Sequence, residues 1–404
     1  MLDRRILRAV APVAIICLGL SACGSKKKES GSGKGGTTVK IAFIAPLSGS
    51  LTALGVGMKN SVKLAIDQAN TKGTVKGFTI ELDAQDDTGK ADVGGQVAAK
   101  VASDAAVAGV VGTLNSSVAL QAAPILDKQH IVMISPANTA IGLTGRDKID
   151  AQVRPYANYF RVATTDDIQG PFAANYVSKD LHLTKVAVIH DKKAYGQGLA
   201  AAFTKQFEAN GGKVVSQETV NPGDKDFSSV LSKIKPTGPE LIYYGGEYPE
   251  MSLLSSQAKP LGLKIPLMGG DGVYDPTYIT VAKDAAEGDL ATSVGAATEK
   301  LDSAKQFVTD YAAAKFADPY SAYGAQAYDA ANVIINAMAK ALKGKKTLDA
   351  AGRQAIIDEV QKTDFSGVTG KVAFDKFGDT TTKLLTVYKV TSGKWNPEKS
   401  GEFS

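Results

Sequence analysis

The sequence predicts an α/β protein built from two parallel-sheet units, and three observations predict it. Short apolar runs rich in β-branched residues recur along the chain, each too short for a helix, so each reads as a buried parallel strand. Longer segments with helical spacing separate them, which is the alternation of a sheet wound by right-handed crossovers. The alternation runs once from Val39 to Ile134 and restarts after Val162, in a chain whose 404 residues suffice for two lobes of ordinary size.

The first unit opens with a strand at Val39–Ala45, ended by Pro46, and a Gly- and Ser-punctuated loop through Gly55. Val56–Asn70 is an amphipathic helix, with Met58, Val62, Ala65, Ile66 and Ala69 at helical spacing and Gly73 as its C-cap. Phe78–Leu82 is a strand, followed by a polar turn through Gly89 and an Ala/Val-rich helix at Ala91–Asp104. Two strands follow, Ala108–Val111 and Ile131–Ile134, each ending in small polar residues: Thr113, Asn115, Ser116 and Ser117 after one, Ser135 and Thr139 after the other. Between them Val118–Lys128 reads as a helix with Ser116 or Ser117 at its N-cap. Ligands of open α/β sheets sit outside the carboxyl ends of the strands, and a hydroxyl beside the free N–H groups of a helix start suits a carboxylate. The same residues would serve equally well as plain helix caps.

The second unit repeats the programme. Asp167–Ser178 is a helix, Lys185–His190 a strand, Gly198–Asn210 a helix, Lys213–Thr219 a strand, Phe227–Ile234 a short helix and Glu240–Tyr244 a strand. Met251–Gly262 is a helix, and Ile265–Met268 a strand running into Gly269-Gly-Asp271-Gly272; Leu290–Val294 follows as a further strand. Helices at 303–316, 320–343 and 348–362 come next, then late strands at Lys371–Phe374 and Leu384–Val390.

The formal charge of +5 resides in the N-terminal segment: Arg4, Arg5 and Arg8 against Asp3, then Lys26, Lys27, Lys28 and Lys34 against Glu29, so residues 37–404 are neutral overall. The basic pI is therefore no nucleic-acid footprint. A basic start, an apolar run at Ala9–Leu20 too short to span a bilayer, and Leu20-Ser-Ala-Cys23 read as an export leader. Residues 24–36 read as a flexible Gly/Ser/Lys tether. Its SGKGG lacks the leading glycine and preceding strand of a phosphate loop.

The catalytic inventory is poor. His130, His182 and His190 have no metal spacing, and neither a G-x-S-x-G elbow nor a G-x-G-x-x-G loop follows a strand. Asp86-Asp87 and Asp166-Asp167 sit among turn and cap residues. The reading is a non-enzyme with no catalytic residues, no metal and no cofactor. A binder needs donors for an anion, an acid for a cation and apolar walls. Ser116 and Thr139 supply hydroxyls, Asp271 an acid between glycines, and Leu114, Tyr195 and Tyr248 walls. That set matches a zwitterionic amino acid.

Several strings in order carry a family resemblance: Met133-Ile-Ser-Pro136, Ile189-His-Asp-Lys192 with Tyr195-Gly196, Gly223-Asp-Lys-Asp-Phe227, Tyr243-Tyr-Gly-Gly246 with Pro249-Glu-Met251, and Ala286-Glu-Gly288. From Val39 to Trp395 the chain resembles the branched-chain amino-acid binding proteins of ABC importers, which are two-lobed type I periplasmic binding proteins of the Venus-flytrap form. Position by position, the resemblance implies that Ser116 and Thr139 bind the ligand carboxylate and that the backbone of Ala137 helps hold carboxylate and ammonium. Asp271 would take the ammonium, Tyr195 would be a wall from the second lobe, and Leu114 and Asn115 would line the side-chain pocket. Glu247 stands where relatives place an aromatic, with Tyr248 beside it, and Leu54 stands where the first loop often carries an aromatic. A carboxylate facing an apolar side chain is costly unless paired, so a polar or cationic ligand stays open beside a branched-chain one.

The resemblance also implies lobes of 39–164 plus 293–374 and 165–292 plus 375–404, joined by a three-strand hinge, behind a leader of 1–22 and a tether of 23–38. Leu20-Ser-Ala-Cys23 resembles a bacterial lipobox, which implies lipidation at Cys23 and an exported, monomeric protein anchored to the outer face of the cell membrane. Its partners would be an amino acid and the ABC permease, with no nucleic acid. A ligand sensor of the same fold, or less directly an exported enzyme, are the rival readings.

Overall fold

The computed structural model describes residues 36–148 and 153–403. The expectations for the leader, Cys23 and most of the tether fall on residues outside these.

The first sheet contains β1 (Thr37–Ala45), β2 (Phe78–Asp86), β3 (Val107–Gly112), β4 (Val132–Ser135) and β5 (Tyr159–Arg161), all parallel, in the order β2-β1-β3-β4-β5. The strands are apolar on both faces because both faces are covered. In β1, Ile41, Phe43 and Ala45 enter one core while Ala42 and Ile44 enter another, the period of two expected of a strand. One face packs against α2 (Ala91–Ser103) and α3 (Ser116–Asp127); the other packs against α1 (Thr52–Lys72) and two helices from far along the chain. Helix α1 ends at Gly73, whose φ of 61° is open to glycine at little cost, with its N–H on Ala69 and Asn70 carbonyls.

The second sheet begins after α4 (Asp166–Asn175). It takes β6 (Lys185–His190), α5 (Ala194–Ala209), β7 (Lys213–Thr219), α6 (Ser228–Ile234), β8 (Leu241–Gly245), α7 (Tyr248–Ala258), β9 (Leu267–Gly269), α8 (Pro276–Ala282) and β10 (Leu290–Ser293). The chain then returns to the first sheet as α9 (Lys305–Ala313), α10 (Gly324–Ala341) and α11 (Ala350–Gln361); α10 packs on α1, β3 and β4. A small hairpin of β11 (Asp364–Gly367) and β12 (Gly370–Ala373) follows, and β13 (Leu384–Thr391) and β14 (Lys394–Glu402) finish as antiparallel strands on the second sheet. The second sheet's order is β14-β13-β10-β9-β8-β6-β7.

Two departures from the sequence reading have simple causes. Asn115, not Ser116 or Ser117, occupies the N-cap of α3, so both serines belong to its first turn. Strand β14 is polar and contains Pro397, a pattern that hides a strand; it is an edge strand, where a missing N–H costs no ladder bond.

Without β13 and β14, the second sheet has the order of the first, β7-β6-β8-β9-β10 beside β2-β1-β3-β4-β5. The strand order reverses between β1 and β3 and again between β6 and β8, and such a switch point opens a crevice outside the carboxyl ends of the strands. The loops that enter α1 and α3 flank the first crevice; those that enter α5 and α7 flank the second.

Candidate functional site

A small, tight cavity lies where these loops meet. From the first lobe come Leu54 on α1, Leu114, Asn115 and Ser116 at the start of α3, and Ala137 after β4. The second lobe supplies Tyr195 on α5, Glu247 before α7, and Asp271 and Gly272 after β9. Tyr323, just before α10, completes the wall.

Eight of the ten residues expected from the sequence thus share one cavity, and two do not line it. Thr139 is fully buried and stands outside the cavity lining. Tyr248 turns aside and donates from Oη to the Ser50 carbonyl at 2.5 Å, a bond between the lobes. The sequence reading missed Gly272, Tyr323, Gln169 and Lys193. Tyr323 carried no signal, because α10 comes to the site from a segment read only as an Ala-rich helix.

Asp271 is the electrostatic centre of the site. It is 2% exposed. Its Oδ1 accepts from Tyr195 Oη at 2.8 Å and Gln169 Nε2 at 3.0 Å, and its Oδ2 accepts from Tyr323 Oη at 2.9 Å. Burial raises its pKa, and these three donors offset part of the rise. All three donors are neutral, and among the described residues no lysine or arginine pairs with Asp271. The tyrosine is seated by a close approach: a Cβ on Gly270 would stand 2.4 Å from Tyr195 Oη, and the Gly272 N–H donates to that oxygen at 3.1 Å.

On the opposite side, Ser116 opens the twelve-residue helix α3, whose first N–H groups have no intrahelical acceptor and whose dipole favours an anion. Asn138 braces this loop. Its Nδ2 donates to the Thr113 and Leu114 carbonyls at 3.0 and 2.8 Å, while its Oδ1 accepts from Tyr159 Oη at 3.1 Å. Behind it, Arg161 is fully buried and pairs with Asp379 at 2.6 Å while donating to the Ala140 carbonyl at 2.8 Å. This ties the segment after β4 to the chain crossing that leads into β13.

Glu247 faces the cavity and is paired. Its Oε1 accepts from Asn115 Nδ2 at 2.6 Å, across the lobes, and its Oε2 accepts from Lys193 Nζ at 2.5 Å. Burial would lower the Lys193 pKa, but Glu247 and Asp191 drive it upward instead, so this ammonium stays charged. Asp191 is pushed up to about 7, by burial first and by Glu247 second. Asp166 at the start of α4 is pushed up to about 8, chiefly by burial, with the Thr139 hydroxyl tempering the rise and Asp271 adding to it.

The arrangement offers a zwitterion an uncompensated carboxylate at one end, a helix start with a hydroxyl at the other, and Leu54 and Leu114 as apolar wall. Among the described residues no group of His, Cys, Asp and Glu has the geometry of a metal site.

Comparison with known proteins shows the family of the chain. The profile of the family described as "Periplasmic binding protein" matches residues 38–394, and the chain belongs to that family. The Leu/Ile/Val-binding protein BraC3 of Rhizobium johnstonii is 33% identical over 356 residues, 88% of this chain and 92% of that one. The leucine-, isoleucine-, valine-, threonine- and alanine-binding protein of Pseudomonas aeruginosa is 34% identical over 352 residues, 87% of this chain and 90% of that one. Among solved structures, the branched-chain amino acid transporter substrate binding protein LivJ from Streptococcus pneumoniae, in complex with isoleucine, superposes with a TM-score of 0.79 at 30% identity, covering 91% of this chain and 99% of that one. A solute binding protein of R. palustris in complex with benzoate reaches 0.78 at 20% identity, covering 91% of this chain and 97% of that one, which shows the fold alone.

Proposed function

We propose that the protein is the extracytoplasmic binding component of an ABC importer and takes a branched-chain amino acid into the cavity between its lobes. One observation carries the reading: Asp271 is a buried carboxylate held only by neutral donors, so it lacks the cation that a buried charge requires. The ligand ammonium would supply it, and Ser116 with the start of α3 would take the ligand carboxylate. Thr139 and the Ala137 backbone, close behind, would complete that end after a small shift.

The state of Glu247 decides between the side chains left open by the sequence. A free carboxylate in the wall would call for a cationic side chain. This one is already matched by Lys193 and Asn115, so the remaining wall, Leu54 and Leu114, suits an apolar side chain. The lobes, taken as 39–164 plus 293–374 and 165–292 plus 375–404, would close about the three chain crossings. Ligand affinity for the closed arrangement would drive that motion. The protein would act as a monomer, without catalysis or cofactor, tethered by a lipid on Cys23.

A thermal-shift screen over the twenty amino acids tests the reading, since a ligand at 100 times its Kd adds about 2.7 kcal/mol of stability. Leucine, isoleucine and valine should raise Tm, while lysine, arginine and glutamate should not. Shifts confined to lysine and arginine would reject the branched-chain assignment.

A further inference from the structure

A second and larger hollow, of about 680 Å³, opens between the lobes beside the amino-acid cavity. One wall is aromatic and belongs to the second sheet. Tyr274 and Tyr388 stack with centroids 3.9 Å apart, and Trp395 meets Tyr274 edge-on at 6.0 Å. Trp395 is fixed in place by donating Nε1–H to the Asp275 carbonyl at 3.0 Å. The facing wall carries Tyr320, which donates to Glu299, with Asp318 nearby on the same rim.

The charges here are unmatched. Among the described residues neither Glu299 nor Asp318 has an ion-pair partner, whereas many other surface acids do. Among the described residues no cation lies over any of these four rings, although Phe160 carries one and Phe377 two. The cationic side chain on the hollow's own wall is Lys394, a single charge against those of Glu299 and Asp318.

Aromatic faces free of cations and carboxylates free of ion-pair partners share one complementary ligand: a compact organic cation that still bears N–H. The rings would attract its charge and cover its apolar part. The carboxylate would accept charge-assisted hydrogen bonds. We propose that this hollow is a second ligand site, specific for a small primary organic ammonium and separate from the amino-acid cavity.

Trp395 is the protein's one tryptophan and stands in the wall of the proposed site, so its fluorescence reports occupancy directly. The full-length protein is titrated with benzylammonium chloride at constant ionic strength, with leucine present at saturation, and in parallel with benzyl alcohol as the neutral isostere. The expected result is a saturable change with benzylammonium, a midpoint at least tenfold higher for benzyl alcohol, and at least a tenfold loss of affinity in Glu299→Gln. Glu299 is exposed and lies outside the amino-acid cavity, so leucine affinity in that variant should be unchanged, which also reports that it is folded. Equal midpoints for the amine and the alcohol, a linear response without saturation, or an undiminished response in Glu299→Gln would each overturn the proposal.

Discussion

Replacing Tyr323 by phenylalanine removes one hydroxyl and tests how the lobes are held over the ligand. Tyr323 precedes α10 on the first lobe, and its Oη donates at 2.9 Å to Oδ2 of Asp271 on the second. Both groups are buried, and the acceptor is a carboxylate. A hydrogen bond of this kind contributes about 1.5–3 kcal/mol, which is roughly a 10- to 150-fold change in an equilibrium constant. The bond exists only when the lobes are together, so the loss should fall on the closed complex. Asp271 keeps Tyr195 and Gln169, both from its own lobe, so the ammonium site itself survives. Calorimetry on Tyr323→Phe should therefore show isoleucine binding weakened by that factor. Stopped-flow measurements should place most of it in the dissociation rate, as is usual for contacts made after encounter. A Kd within twofold of the parent, or a loss carried by the association rate, would refute the assignment of this bond to closure.

Three further outcomes follow from the same geometry. Ser116→Ala should weaken isoleucine by about 1.5–3 kcal/mol, measured by calorimetry, because it removes a hydroxyl from a charged partner. Asp379→Ala leaves the fully buried Arg161 guanidinium uncompensated and should cost about 3–5 kcal/mol in urea unfolding at pH 7. Burial favours protonation of Asp379, but Arg161 and Arg146 hold its pKa below the ordinary value, so its contribution is present above about pH 4 and fades as pH falls further. Asp166 has the opposite sign. Its folded pKa is raised to about 8, so the folded state holds an extra proton between the unfolded value and pH 8, and stability should rise as pH is lowered across that range. The slope from this group is at most about 1.4 kcal/mol per pH unit, and Asp166→Asn should flatten it in urea titrations from pH 8 to pH 5.

Much of the fold was legible because periodicity is a local signal. The β-branched runs at Val107–Gly112 and Val132–Ser135 are buried on both faces, so nothing in them contradicts a parallel strand. Helix α8 went unread although Asp275 caps it, accepting from the Thr277 N–H at 2.7 Å, and Pro276 fills its first position. Its seven residues are too few to show a period. At the site, the residues in the strand-end loops were legible because position in an α/β sheet implies function. The partners that decide the electrostatics were not. Lys193 reaches Glu247 across 54 residues, and Tyr323 reaches Asp271 across 52, and no local pattern records such pairings. This is why the sequence left Glu247 as an argument for a polar or cationic ligand, whereas the pairing with Lys193 and Asn115 removes that argument.

The central claim is that the cavity reads both ends of an amino acid, with Asp271 waiting for the ammonium. Calorimetric titration with isoleucine and with 3-methylpentanoate, which keeps the side chain and carboxylate but lacks the amine, addresses it directly. The account predicts one-to-one binding of isoleucine and at least a hundredfold weaker binding of the desamino acid, since placing an anion beside an unmatched buried carboxylate without an ammonium carries a charge penalty. Equal affinity for the two would contradict the account, because Asp271 would then have no role in recognition.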